Sequence, residues 1–413
     1  MATNSKKKIT KSISLQEADI RVDELRKRAV SAPLVARSVR ENLDLPLDER
    51  ILITSKFPTH RIALMVDGED VSGTLVFDFS QHFEACRLRM GGVAGVRTHR
   101  DHRFKGYSRI VLENMLRWMY QEGFDVSMLG GIPGFYPKFG YVKAFPETYF
   151  EFAVREAEQL VPTGYTFVDY QPKYLSAALR MFRRNQATRT GPTERDRRYW
   201  RPFRKGITWG PKAVCRVAID SQGRAVGYFV YDDAVDEVMV LEVGHMRPDV
   251  FPDIIRAAAR MAWKKRQALF RFRLPEDDEL VAYGMHLGVR KEVVHTPDGG
   301  PMVRLMNSYS ALQKVAPMLA GRMSGRGRLC IRTNNDQVWL AWSGGELTVN
   351  NRVIAGAGVA RMPQWALASM LYGYTTAPTF AAHGTIKATG KVLDHLTEMF
   401  PITPHYHSRI DAF

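Results

Sequence analysis

The chain has 413 residues, 45% hydrophobic and 25% charged, a composition that excludes disorder as its main state and, at roughly 150 residues per domain, suggests two to four domains with three the central expectation. No apolar run approaches the roughly 20 residues that cross a bilayer, and the segment from Met1 to Leu15 is polar and basic without the apolar stretch of a secretory signal. The net charge of +16, from 59 Lys and Arg against 43 Asp and Glu, favours anionic partners: nucleic acid, phosphorylated cofactors, acidic proteins or anionic membranes. It does not choose among them.

In chain order, residues 1–20 read as a polar arm, and the spacing of Leu25, Ala29, Leu34, Val35 and Val39 predicts a helix over 22–43. Strands are expected at 60–66, 74–79 and 86–96, the first two joined by turn residues at 67–70. An amphipathic helix follows Gly106, with Val111, Leu112, Met115, Leu116 and Met119 on one face, and stops at Gly123. A short strand at 126–129 leads into a glycine-rich turn at 130–134. This mixed α/β unit ends near residue 155, where Pro162 and Gly164 mark a boundary. The order then repeats in outline: a basic helical segment through 175–182, strands at 214–219, 225–231 and 238–243, a helix at 251–265 and strands at 268–274 and 302–306. From about Ala311, short alternating strands appear at 328–333, 338–342 and 346–349, then a helix at 363–372. The expected organisation is therefore three units, 1–155, 156–308 and 309–413: two tandem mixed-sheet α/β domains and a C-terminal α+β domain.

Three cysteines, Cys86, Cys215 and Cys330, lie far apart with no CxxC pair, which argues against a disulfide framework or structural zinc and for a protein of a reducing cytoplasm. The arginine-rich stretch from Arg180 to Lys205 interleaves with Phe182, Tyr199, Trp200 and Phe203. It could track a nucleic-acid strand, but reads better as a helical surface whose aromatics face the core. His405 and His407 make half a metal site and read as surface histidines. No metal is expected.

The most informative stretch runs from Gly91 to Ser108. A strand ends near Val96, a basic loop carries His99, His102, Arg103 and Lys105, and a helix opens at Gly106. The first N–H groups of a helix have no internal partner, and its dipole favours negative charge there. Gly106 lets the backbone approach an oxygen closely, and Arg103 and Lys105 add charge-assisted contacts. Such a loop can cradle a pyrophosphate. The spacing is neither a Rossmann GxGxxG nor a P-loop.

With Arg103, Gly106 and Ser108 in an R-x-x-G-x-S pattern, and with Gly134-Phe135-Tyr136-Pro137-Lys138-Phe139-Gly140-Tyr141 following downstream, the chain resembles the GNAT acyltransferase superfamily. The resemblance implies that residues 103–108, Phe104 and Tyr107 included, hold the diphosphate of acetyl-CoA and that Val96 and Thr98 bind the pantetheine arm through main-chain hydrogen bonds. It implies that Tyr136 protonates the leaving thiolate, where a core aromatic is the simpler reading of that residue; an unperturbed phenol, with a pKa near 10, carries the proton to give. The three-part layout resembles the Eis (enhanced intracellular survival) acetyltransferase family, which implies a sterol-carrier-like C-terminal domain, a homo-oligomer with a hexamer as one option, and a terminal carboxylate, here that of Phe413, acting as general base. The second unit reads His245-Met246-Arg247-Pro248-Asp249-Val250-Phe251-Pro252 where the loop is expected. With no glycine and two prolines it is expected to bind no CoA. The function so implied is direct acetyl transfer from acetyl-CoA to a primary amine, such as a small molecule or a lysine. The alternatives are a lipid- or sterol-binding protein with an inactive shell, a basic nucleic-acid-binding protein, and an acyltransferase for longer chains.

Overall fold

A computed structural model describes residues 43–200, 202–203, 213–233, 235–388 and 390–411. The helix expected over 22–43 falls outside these residues except for Leu43, as do Arg201, Arg204, Lys205 and Phe413. The described chain opens as an antiparallel meander: β1 (Ile51–Lys56), β2 (Thr59–Val66), β3 (Glu69–Phe83) and β4 (Cys86–Thr98). Asp67 and Gly68, both at positive φ, close the β2–β3 turn. Then come α1 (Tyr107–Gln121) and β5 (Val126–Gly131), which returns parallel to β4. The helical crossover is what a parallel neighbour requires.

Next are β6 (Val142–Lys143), β7 (Glu147–Ala153), α2 (Val154–Ala157), β8 (Thr166–Asp169), α3 (Leu175–Asn185) and β9 (Thr190–Thr193). The second meander is β10 (Ala213–Ile219), β11 (Ala225–Asp232) and β12 (Met239–His245), followed by α4 (Phe251–Lys264), β13 (Leu269–Phe272), α5 (Glu279–Gly284), β14 (Arg290–Val294) and β15 (Gly300–Leu305). The C-terminal unit comprises α6 (Ser308–Lys314), α7 (Ala316–Ala320), β16 (Arg326–Arg332), β17 (Gln337–Ser343), β18 (Glu346–Asn350), β19 (Gly358–Arg361), α8 (Gln364–Leu371), α9 (Ala377–Ala382) and α10 (Lys391–Met399).

These strands form three mixed sheets. The first runs β1-β2-β3-β4-β5-β15-β6, with β9 pairing β3 beyond the end of β2; the second runs β14-β7-β13-β12-β11-β10-β8; the third runs β18-β17-β16-β19. The fold is thus mixed α/β, two tandem GNAT-like sheets followed by an α+β unit. Sheet membership crosses the sequence boundaries. The strand near 302–306, read as closing the second unit, is inserted between β5 and β6 of the first sheet, while β7 leaves the first unit to pair β13 and β14. Periodicity reports that a segment is a strand; it carries no information on which open edge receives it.

The central strands of the first sheet are covered on both faces, which explains the apolar run from Met90 to Val96 in β4. Val76, Val93, Leu129 and Met302 pack with α1. Leu88, Met90, Val126, Met128 and Val303 face the C-terminal unit. That second interface is continuous core: the Tyr372 ring is fully buried, meets Phe83 edge-on at 4.8 Å, and its hydroxyl donates to Gln81 at 2.5 Å. Among the described residues no helix is long and apolar enough to cross a membrane.

Candidate active site

β4 and β5 pair only from Met90↔Val126 to Val93↔Leu129. Beyond Val93 the two strands part, while β5 stays paired on its other edge to β15 through Gly130↔Pro301 and Gly131↔Gly300. In the same stretch β4 carries a bulge: Gly73 faces Arg97 while Leu75 faces Ala94, and Gly95 sits at φ +59°. A bulge leaves main-chain groups out of the ladder and re-aims its side chains. Val96 and Thr98 both lie in this free segment, half-buried. Thr98 is held from β3, its hydroxyl 2.9 Å from that of Ser72.

The basic loop follows directly. A short 3₁₀ turn, Arg100–His102, is succeeded by Arg103, whose Nε donates to the Thr98 carbonyl at 3.4 Å. Phe104 takes φ +65° and Gly106 φ +78°, where Gly106 caps α1. A side chain at Gly106 would meet open space, so the constraint there is conformational rather than steric. The amide N–H groups of Lys105, Gly106, Tyr107 and Ser108 have no acceptor among the described residues. The two left-handed residues curl the chain so that successive N–H groups converge, and the helix dipole adds to them. Arg103, Phe104, Lys105 and Gly106 are exposed, and His102 stacks on Tyr107 with ring centroids 6.0 Å apart. The arrangement is a cationic loop at a helix start whose amide donors are unpartnered among the described residues, which fits a diphosphate.

Tyr136 opens the 3₁₀ turn Tyr136–Phe139 after β5. Its ring is 5% exposed and packs against Phe135 and Tyr141 at 5.0 and 6.1 Å, in the core cluster that contains Val93 and Leu129 and has Val96 against its edge. Burial pushes its phenol above the usual tyrosine range, so the proton stays on at neutral pH. The first unit therefore carries the basic loop, the β4 edge without a β5 partner and the buried Tyr136.

The second unit repeats the geometry and closes it. β12 and β13 pair in parallel only at Met239↔Arg271 and Val240↔Phe272, then part, and β12 bulges at Leu241. Here the C-terminal segment covers the free stretch. The Tyr406 hydroxyl donates to the Leu241 carbonyl at 3.2 Å, and Ser408 donates to Glu242 at 2.5 Å. At the helix start, Arg247 pairs with Asp249, Tyr165 donates to Asp249 at 3.0 Å, and Thr163 donates its amide to Asp253 at 3.0 Å. Pro248 and Pro252 remove two donors.

With the geometry in place, comparisons with known proteins decide the class. The sequence family of acetyltransferase (GNAT) domains matches residues 45–144. Residues 45–144 are a GNAT acetyltransferase domain. The chain is on that ground an acetyltransferase, of a domain family that uses acetyl-CoA as cosubstrate. No curated protein matches its sequence. Solved structures match its fold. A conserved protein from Enterococcus faecalis V583, described as a probable N-acyltransferase, superposes with a TM-score of 0.72 at 15% identity, covering 86% of this chain and 90% of that one. A GCN5-related N-acetyltransferase from Anabaena variabilis ATCC 29413 gives 0.68 at 14% identity, covering 96% and 98%. Eis1 from Mycobacterium abscessus gives 0.61 at 15%, covering 97% and 99%. At these identities the likeness is one of fold.

Two sequence readings need correction. The stretch from Arg180 to Lys205 is not one helical surface: α3 ends at Asn185, β9 follows, and Arg189 and Arg195 are buried. Arg189 pairs with Asp277 at 2.9 Å, and Arg195 with Glu242 and Asp411. Burying a guanidinium needs carboxylates that arrive from distant elements, which a local pattern does not show. Nor are His405 and His407 surface residues. Both are part-buried and pack on Phe145, with centroids 6.2 and 5.9 Å away.

Proposed function

We propose that the chain transfers acetyl directly from acetyl-CoA to a primary amine, with the site in the first unit. The observation that carries this reading is the opening between β4 and β5 beside a helix start whose N–H groups have no acceptor among the described residues. Residues 103–108 would hold the diphosphate, and the main chain at Val96 and Thr98 the pantetheine arm. Bound there, acetyl-CoA supplies an activated acetyl group. The buried Tyr136 phenol keeps a proton it can give to a departing thiolate.

The base would be the carboxylate of Phe413, ionised at neutral pH from a reference pKa near 3.5. The course of the preceding residues supports this. His405 bridges Thr190 of β9, and Asp411 ends at Arg195. The neighbouring Glu194 donates its amide to Ser80 of β3 at 2.7 Å. Further along β3, Val76 faces Val93, the last β4 residue with a β5 partner. The tail thus runs alongside β9 as far as Arg195.

Thiol release from acetyl-CoA over a panel of lysine peptides, polyamines and aminoglycosides tests the reading. Saturable turnover with at least one amine is expected. Deleting Phe413 should lower kcat by about 100-fold, the usual scale for a lost general base, with affinity for acetyl-CoA unchanged. Absence of any acetyl-CoA binding, or full kcat in the deletion variant, would contradict it.

A further inference from the structure

The C-terminal segment is fastened at one point more tightly than its sequence suggests. Arg195, Glu242 and Asp411 have side chains 1%, 1% and 3% exposed. Arg195 makes a two-pronged contact with Glu242, at 2.7 and 2.6 Å, and its Nε donates to both Asp411 oxygens at 2.9 and 3.1 Å. Its guanidinium carbon lies 3.6 Å above the Phe182 ring and 4.6 Å from that of Trp200. Glu242 is completed by Tyr228, donating at 2.9 Å, and by Ser408 at 2.5 Å. Arg195 therefore touches three parts of the molecule at once: it follows β9 of the first sheet, grips β12 of the second, and holds Asp411 of the C-terminal segment.

The rest of the segment is fitted to the same groove. Thr190 donates to Pro404 at 3.0 Å, and Tyr406 donates to Thr190 at 2.9 Å. Gly191, at φ +108°, has no room for a side chain: a Cβ would lie 2.4 Å from the Phe145 ring and 2.6 Å from the Tyr406 carbonyl. A desolvated fork of this kind holds register as well as energy, because breaking it strands a charge away from water.

We propose that Arg195 is a positioning residue for acyl transfer: it anchors the C-terminal segment across the second unit so that the terminal carboxylate is presented at a fixed place. The proposal rests on the reading of Phe413 as the base. It assigns the second unit's closed cleft a role as receptor for the chain's own end.

Two variants and one non-kinetic readout test it. Arg195→Met leaves two buried carboxylates and could unfold, so Asp411→Asn, which keeps the shape and removes one charge, is run beside it. Carboxypeptidase removal of Phe413, followed by intact mass, should quicken by about tenfold in both variants, as expected when a local docking equilibrium is weakened. With the best acceptor of the amine panel, kcat should fall by about tenfold while KM for acetyl-CoA holds. Arg195→Lys should rescue in part, since it restores charge without the fork. Unchanged trimming and kcat in both variants, alongside a low kcat when Phe413 is deleted, would overturn the positioning role alone. A silent Phe413 deletion would instead overturn the base assignment itself, whatever the trimming shows.

Discussion

The first and second units share an order of elements and a pair of parallel strands that part after a few residues, yet they use the wedge differently. In the first, β4 is left free beyond Val93, and the helix start beside it offers donors in a cationic loop. In the second, β12 is covered by Tyr406 and Ser408, and the helix start is occupied by Asp249, Tyr165 and Thr163. The lesson is that parted parallel strands make a groove for an extended chain of any origin. What lines the adjacent helix start differs between the two: unpaired donors among the described residues in the first, internal partners in the second. A glycine in the left-handed region and two cations favour a diphosphate; two prolines and an internal ion pair do not.

That contrast can be broken most sharply at Gly106. Gly106→Asp places a carboxylate at the helix start and a side chain at φ +78°. It should weaken CoA binding by about 1000-fold, from like-charge repulsion and backbone strain together, with circular dichroism unchanged. Retained affinity would mean that the diphosphate binds elsewhere. Tyr136→Phe should cost about 100-fold in kcat with CoA affinity intact. Equal losses in kcat and affinity would make the ring a packing element only.

The smallest effect concerns the joint between the first sheet and the tail. Glu194 accepts from His82 at 2.6 Å, and this hydrogen bond, with Arg183 and Arg87 nearby, holds its carboxyl down at about 2. A depressed acid stabilises the fold above its unfolded pKa and loses that contribution as pH falls through the folded value. Glu194→Gln should therefore cost about 1–2 kcal/mol at neutral pH, discounted for partial exposure, and the difference should shrink from pH 4.5 towards 2. A pH-independent difference in chemical denaturation would remove the ionic account.

The sequence shows the elements better than their assembly. Alternation and amphipathic spacing located β2, β4, β5, α1, β10 to β13 and β16 to β18 within a few residues, and the middle of the longer β3, because each pattern is local. The basic loop from Arg103 to Ser108 and the helix start after it show in the sequence for the same reason: both are set by adjacent residues. The exchange of β7 and β15 between sheets was not legible, since it depends on which edges remain open after the rest has folded. Arg195 was hidden for a related reason. Its partners Glu242 and Asp411 lie 47 and 216 residues away, so an arginine among aromatics looked like surface. Tyr136 is intermediate, a residue whose type and setting show in the sequence and whose burial shows only in the fold.

Calorimetric titration of the full chain with CoA tests the difference between the two units most directly. The account predicts one saturable site per chain, lost in Gly106→Asp and untouched by Arg247→Ala in the second unit. Two sites per chain, or a single site that survives Gly106→Asp, would contradict it.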